Sequence, residues 1–323
     1  MVMAVFNPAK FSSRGRNARA QQERFRSIRG AILYTAELAY GDAPFEATDS
    51  DNPHHLQLRL EHEMPLWHKE NLINLAVQRL LPKKFAALGF IDAEVTFENE
   101  DWAIEALRQI VAGDSDVVQP YSTVVGSTGE VWNSSGLELS NPEFRMPKDV
   151  VEWMTTKKGG VMAYSWIYSY ETWQRIGGYF FDLDLATGND LITFGAAVNP
   201  AFVEMYYPRG SGQVYWTQDY DKTVQDYITN AWRNAPRVRI GYVPGKMNHE
   251  SHGSLKNRQY MTMRQATYLY EPSKHVTYNR DGILVPTADM PAQVKDFFMA
   301  YFASRKEDDA PVFETTKEIM GME

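Results

Sequence analysis

The sequence predicts an α/β fold around a largely parallel sheet. Short apolar runs alternate with amphipathic stretches along most of the chain, the pattern of strands and their covering helices. Several apolar runs end in polar clusters, and ligands gather at the carboxyl ends of strands in open α/β sheets. Size and composition agree with this. The 323 residues are 44% hydrophobic and 23% charged, ordinary for a globular chain of one large domain or two small ones.

The elements follow in order. Residues 2–6 (Val-Met-Ala-Val-Phe) form a first strand that ends at Asn7-Pro8. Residues 10–29 carry Lys10, Arg14, Arg16, Arg19, Arg24, Arg26 and Arg29 without an apolar run, and read as a basic loop and helix. Residues 31–39 form a second strand that contains Glu37; 41–53 are acidic and turn-rich; 56–60 form a third strand. Helical spacing over 69–81 stops at Pro82. Within 89–97 a buried strand is expected whose carboxyl end is the acidic Asp92–Glu94, 102–111 read as an amphipathic helix and 116–120 as another strand. Residues 122–150 hold Gly, Ser, Asn and Pro with weak periodicity, a long loop of the kind used for lids or acceptor sites. A strand from 159, helices over 170–176, 189–198 and 218–233, a strand over 238–244, and helices over 256–270 and 292–304 complete the chain. The tail after Lys306 is charged and expected to be mobile.

Composition excludes some chemistry. There is no cysteine, hence no disulfide, thiolate metal site or cysteine nucleophile. The net charge of −8 gives an overall field that does not attract nucleic acid, although a local basic groove is compatible with it. No stretch reaches the roughly 18 apolar residues of a membrane span, and no signal-peptide core is present, so a cytoplasmic location is expected.

Three polar clusters carry the chemistry: Asp92-Ala93-Glu94, Gly188-Asn189-Asp190, and His249 with His252 beside Gly253. On an extended chain Asp92 and Glu94 point the same way, and two adjacent carboxylates repel. A hard divalent cation bridging to a phosphate relieves that repulsion; solvated acids at a strand end are the competing reading. One imidazole, carboxylates and phosphate oxygens make a shell for Mn²⁺ or Mg²⁺.

The order and spacing of these motifs over about residues 5–265 resemble GT-A glycosyltransferases, in their galactosyltransferase-like branch of bacterial or phage type. The first strand ends in Asn-Pro. Trp67-His68-Lys69-Glu70-Asn71-x-x-Asn74 resembles the family's basic helix start. Asp92-Ala93-Glu94 stands where those enzymes carry Asp-x-Asp. Gly159-Gly160, an aromatic strand and Gly177-Gly178-Tyr179 resemble the donor-sugar region. Gly188-Asn189-Asp190 resembles the segment of the catalytic base, and residues 249–253 the late histidine motif. Two departures stand out: the metal motif ends in Glu, and Asn189 replaces the first acid before the base.

The resemblance implies a GT-A-type, Rossmann-like, mixed and mainly parallel sheet flanked by helices. It implies a nucleotide-sugar-binding domain over 1–255 and a helical extension over 256–323 packed on it. The donor is a nucleotide diphosphate sugar, a UDP-sugar first, with Mn²⁺ or Mg²⁺ held by Asp92, Glu94 and His249. Asn7, Pro8, Arg14, Arg16, Glu37, Lys69, Asp92, Ala93, Gly160, Trp166, His252 and Lys256 are expected around that donor. Tyr164 and Tyr168 are further stacking candidates. Asp190 is expected to act as the base of an inverting transfer, unless it caps its helix. The acceptor expected is a glycan or a hydroxymethylated DNA base. A sugar nucleotidyltransferase and a non-catalytic carbohydrate-binding protein on a transferase fold remain alternatives; the Asn189 departure favours the latter.

Overall fold

The computed structural model describes residues 1–141, 163–185, 189–198, 216–232, 238–250, 253–254, 256–258 and 267–309. The elements are β1 (Val2–Phe6), α1 (Ser12–Phe25), β2 (Tyr34–Tyr40), β3 (His55–Leu60), α2 (Lys69–Leu80), β4 (Ala87–Ile91), β5 (Val95–Phe97), α3 (Trp102–Val111), β6 (Val117–Gln119), β7 (Thr123–Val125), β8 (Val131–Asn133) and α4 (Ser135–Leu139). After these come β9 (Ser165–Ser169), α5 (Tyr170–Arg175), α6 (Asn189–Val198), α7 (Gln218–Trp232), β10 (Ile240–Tyr242), β11 (Lys246–His249), α8 (Pro272–His275), β12 (Val276–Tyr278), β13 (Leu284–Pro286) and α9 (Ala292–Ser304).

Among the described residues a mixed, mainly parallel sheet of seven strands runs in the order β10-β6-β9-β4-β1-β2-β3. Only β9 opposes its neighbours β4 and β6. This is the mainly parallel α/β architecture expected from the sequence. All five β9 residues are buried, as befits a strand covered on both faces. Its polar Ser165 is satisfied there, donating to the Phe90 carbonyl at 2.7 Å.

Alternation along the strands splits the core. Val2, Phe6, Leu88, Phe90, Trp166 and Tyr168 belong to one apolar cluster. Their neighbours Met3, Val5, Ile91 and Ile167 belong to the other, with Trp102 and Ala106 of α3. Successive side chains of a strand point to opposite faces, so one sheet organises both clusters. Ile73 and Ala76 of α2 join the first cluster; so do Leu284 of β13 and Val294, Phe298 and Phe302 of α9. Asn71 of α2 fastens the β12–β13 hairpin by donating to the Gly282 carbonyl and accepting from the Leu284 amide, both at 3.1 Å.

The structure corrects the sequence in three places. β4 ends just before Asp92, at the acidic strand end expected, but Asp92–Glu94 are not extended: the chain turns there and enters a second sheet as β5. That second sheet has the order β5-β11-β7-β8. The predicted loop over 122–150 contains β7, β8 and α4, with residues 142–150 outside the described residues. Of the helix expected over 256–270, Lys256–Arg258 and Thr267–Leu269 are 3₁₀ turns, and 259–266 lie outside the described residues. Of the tail expected to be mobile, Glu307 and Asp308 are anchored on partners at the start of α1, and 310–323 lie outside the described residues.

Candidate functional site

The site forms where β1, β2 and β4 end. Asp92 leaves β4 with its amide donating to the Tyr164 carbonyl at 3.0 Å. Its Oδ1 lies 2.6 Å from Nζ of Lys69, the first residue of α2. Lys69 also lies 5.1 Å from the centre of the Phe90 ring. Because residues 92–94 form a turn, the same-side geometry of an extended Asp-x-Glu pair does not apply. Ala93 packs at the edge of the second core cluster. Glu94 is buried. Burial raises its carboxyl above the usual range, Arg14 opposes that rise, and Asp92 and Glu307 add to it.

Strand pairing delivers the histidine. β11 runs antiparallel to β5 with His249 opposite Val95, and the Glu250 amide donates to the Glu94 carbonyl at 2.7 Å. His249 is buried, and burial together with Arg258 lowers its imidazole to about 3. It is therefore neutral at ordinary pH, the form that ligates metals. The Tyr164 ring lies 4.6 Å from the His249 ring. Tyr164 also has φ +78°, a left-handed conformation that costs a bulky residue on the order of 1–3 kcal/mol and gathers at functional sites. Sequence reasoning proposed Tyr164 for stacking but held no signal for its backbone.

The basic side of the site is the β1–α1 turn. Asn7 shapes that turn: its carboxamide donates to the Phe11 carbonyl at 2.8 Å and accepts from the Phe11 amide at 2.9 Å. Pro8 follows it on the wall of a shallow recess. Arg14 lies against Phe6, the last residue of β1, and is gripped by Glu307 through two bonds of 2.6 Å. Arg16 points outward and is exposed. Beside the turn is a cleft of about 100 Å³ lined by Asn7, Lys10, Glu37, Tyr40, Pro44 and Glu46. Glu37 holds the wall of this cleft, accepting from the Glu46 amide and the Thr48 hydroxyl, both at 2.6 Å. The buried Tyr40 hydroxyl in the same wall has no hydrogen-bond partner among the described residues.

Other candidates lie elsewhere. Trp166 is 1% exposed and packs on Phe194, 4.6 Å between ring centres, so it is core. Tyr168 is equally buried. Asp190 belongs to the first turn of α6, and its side chain lies outside the description, as does that of Lys256. Gly160 and His252 lie outside the described residues. Asp182 and Asp184 are two further carboxylates in the chain. Both are buried, and Asp182 accepts from Asn71 at 3.0 Å and Tyr278 at 2.8 Å.

The donor set fits a hard divalent cation in kind: two carboxylates in one turn, with a neutral imidazole on the strand paired beside it. Among the described residues no three His, Asp or Glu side chains converge closely enough to hold a metal as they stand.

No family model matches the chain, and no curated protein does. Solved structures overlap it loosely. The crystal structure of S. aureus TarS 1–349 is 11% identical, with a TM-score of 0.38 over 94% of this chain and 71% of that one. Galactosyltransferase LgtC, in complex with donor and acceptor sugar analogs, is 11% identical, with a TM-score of 0.31 over 96% of each chain. Mouse xyloside xylosyltransferase 1 in its apo form is 10% identical, with a TM-score of 0.26 over 77% of this chain and 96% of that one. Among the described residues no helix is long and apolar enough to cross a membrane.

Proposed function

We propose that this protein is a metal-dependent, inverting glycosyltransferase that moves a sugar from a nucleotide diphosphate donor, a UDP-sugar first, to an acceptor hydroxyl. One observation carries the reading most. Arg14 and Asp92 follow β1 and β4 at the carboxyl end of the mainly parallel sheet, the Arg14 charge acts on the buried Glu94, and the β5–β11 pairing of the second sheet brings His249 beside the Glu94 backbone. That edge is where such sheets bind ligands.

The roles follow from the chemistry of the groups. The cleft beside Asn7 and Tyr40 takes the nucleoside, and Arg14 the diphosphate charge. Asp92, Glu94 and His249 would give a bound cation part of its shell, and it would supply charge neutralisation to the leaving phosphate. Lys69 pairs with the Asp92 carboxylate and competes with the cation for it. Asp190 takes the proton from the acceptor hydroxyl as it attacks from the face opposite the leaving group. The acceptor is a glycan or a hydroxymethylated DNA base in the cytoplasm. A panel of nucleotide sugars with Mn²⁺, assayed for release of nucleoside diphosphate, tests this. Release from one donor, abolished by Asp92→Ala, is expected. No release from any donor, and no binding of any nucleoside diphosphate, overturns it.

A further inference from the structure

We propose that residues 305–309 form an autoinhibitory strap. Its Glu307 and Asp308 carboxylates occupy the anion-binding groups of the β1–α1 turn, and a nucleoside diphosphate must displace them to bind. The inference rests on the donor site proposed above.

Three independent contacts define the strap. Both Glu307 carboxylate oxygens sit on Arg14 at 2.6 Å, and the Glu307 side chain is 1% exposed. Asp308 takes the next groups along: its two oxygens accept the Ser12 and Ser13 amides at 2.8 Å each, and one also accepts the Ser12 hydroxyl at 3.1 Å. On the other side the strap backbone presses on the loop that follows His249. A Cβ added at Gly253 would meet the Arg305 carbonyl oxygen at 2.7 Å and Lys306 O at 3.0 Å. Gly253 holds φ +83°, so glycine suits this close approach on both counts.

The strap thus lies between the arginine turn and the histidine loop, with Glu307 close enough to raise the Glu94 carboxyl. Burial alone would raise Glu307 itself, but Arg14 and Arg305 outweigh it and hold it down at about 2. It is a full anion at ordinary pH. Two consecutive anionic groups, one on a guanidinium and one on helix amides, present the charge pattern of a diphosphate. A helix cap alone needs one carboxylate and leaves the arginine to other partners. Asp308 is exposed at the outer end, where a competing anion can begin to peel the segment away.

The test titrates UDP with Mg²⁺, and separately inorganic pyrophosphate, against wild type, Asp308→Asn and the double variant Glu307→Gln/Asp308→Asn. Hydrogen exchange follows residues 305–309 in parallel. A strap docked about nine-tenths of the time weakens apparent affinity about tenfold, so the variants should bind both probes tighter by up to that factor. Saturating UDP should speed exchange of 305–309 in the wild type, a readout that survives if the double variant misfolds. UDP binding with unchanged affinity in Asp308→Asn and a strap that stays protected would overturn the strap and leave the donor site standing. Pyrophosphate releasing the strap while UDP binds no variant would uphold the strap and overturn the donor site. No binding of either probe to any variant overturns both.

Discussion

Lys69 Nζ and Asp92 Oδ1 stand 2.6 Å apart, joining the first residue of α2 to the turn that follows β4. The carboxylate proposed for a divalent cation therefore already has a cationic partner, and like charges at that distance exclude one another. Lys69→Met should tighten Mn²⁺ binding several-fold, measured by the loss of free-ion paramagnetic resonance. Weaker Mn²⁺ binding in that variant would show that Lys69 supports the site instead of competing for it.

Asp190 separates chemistry from binding. A base that acts only in the transition state contributes little to donor affinity. Asp190→Asn should cut turnover by about 10²-fold or more, the scale of general base catalysis, with donor affinity nearly unchanged. Near-normal turnover would assign Asp190 to the start of its helix and move the search to Asp182 and Asp184.

Two buried imidazoles set the acid limit. Burial lowers His68 and His249 from 6.5 to about 3, so folding favours their neutral forms. The unfolded chain binds more protons below 6.5, and stability falls with pH from there down to about 3. Each histidine contributes a slope of up to about 1.4 kcal/mol per pH unit in that window. Glu307, lowered from 4.5 to about 2, adds its own loss only below 4.5. Denaturant unfolding at stepped pH should show the decline begin near 6.5, and His68→Gln should shallow it. A flat profile between pH 6.5 and 4.5 would contradict the assignment.

Tyr164 offers a test of backbone strain with the ring held out of account. Tyr164→Ala and Tyr164→Gly both remove the ring from His249, and they differ chiefly in tolerance of φ +78°. The glycine variant should be the more stable by about 1 kcal/mol by denaturant unfolding. Equal stability, or the reverse order, would show that the backbone relaxes when the ring is lost.

Local periodicity was enough for β1, α3, α6 and α9, whose predicted limits coincide with the observed ones. Each has its apolar residues at the spacing of its own structure, with no distant partner required. The acidic end of β4 at Asp92 was legible, but the turn after it was not, because apolar residues on both sides of 92–94 hide a change of sheet. Nor could periodicity bring His249 to Glu94, since the β5–β11 pairing that does so is non-local. The resemblance supplied that pair. Tyr164 looks like any strand aromatic in sequence, and its φ is imposed from outside. The anchoring of Glu307 and Asp308 escaped for the same reason: charged residues near an end look mobile until their partners are known.

The Asp308 contact also has a consequence for how the chain is made. Helix α1 follows the first strand, yet the carboxylate that satisfies its leading amides comes 296 positions after Ser12. At about 5–20 residues per second, a ribosome delivers that carboxylate roughly 15–60 s after the helix has emerged. Through that interval the first turn of α1 has bare amides and fraying is its natural state. Its completion waits on a closure that spans nearly the whole chain, which makes the start of the protein one of the last parts to settle.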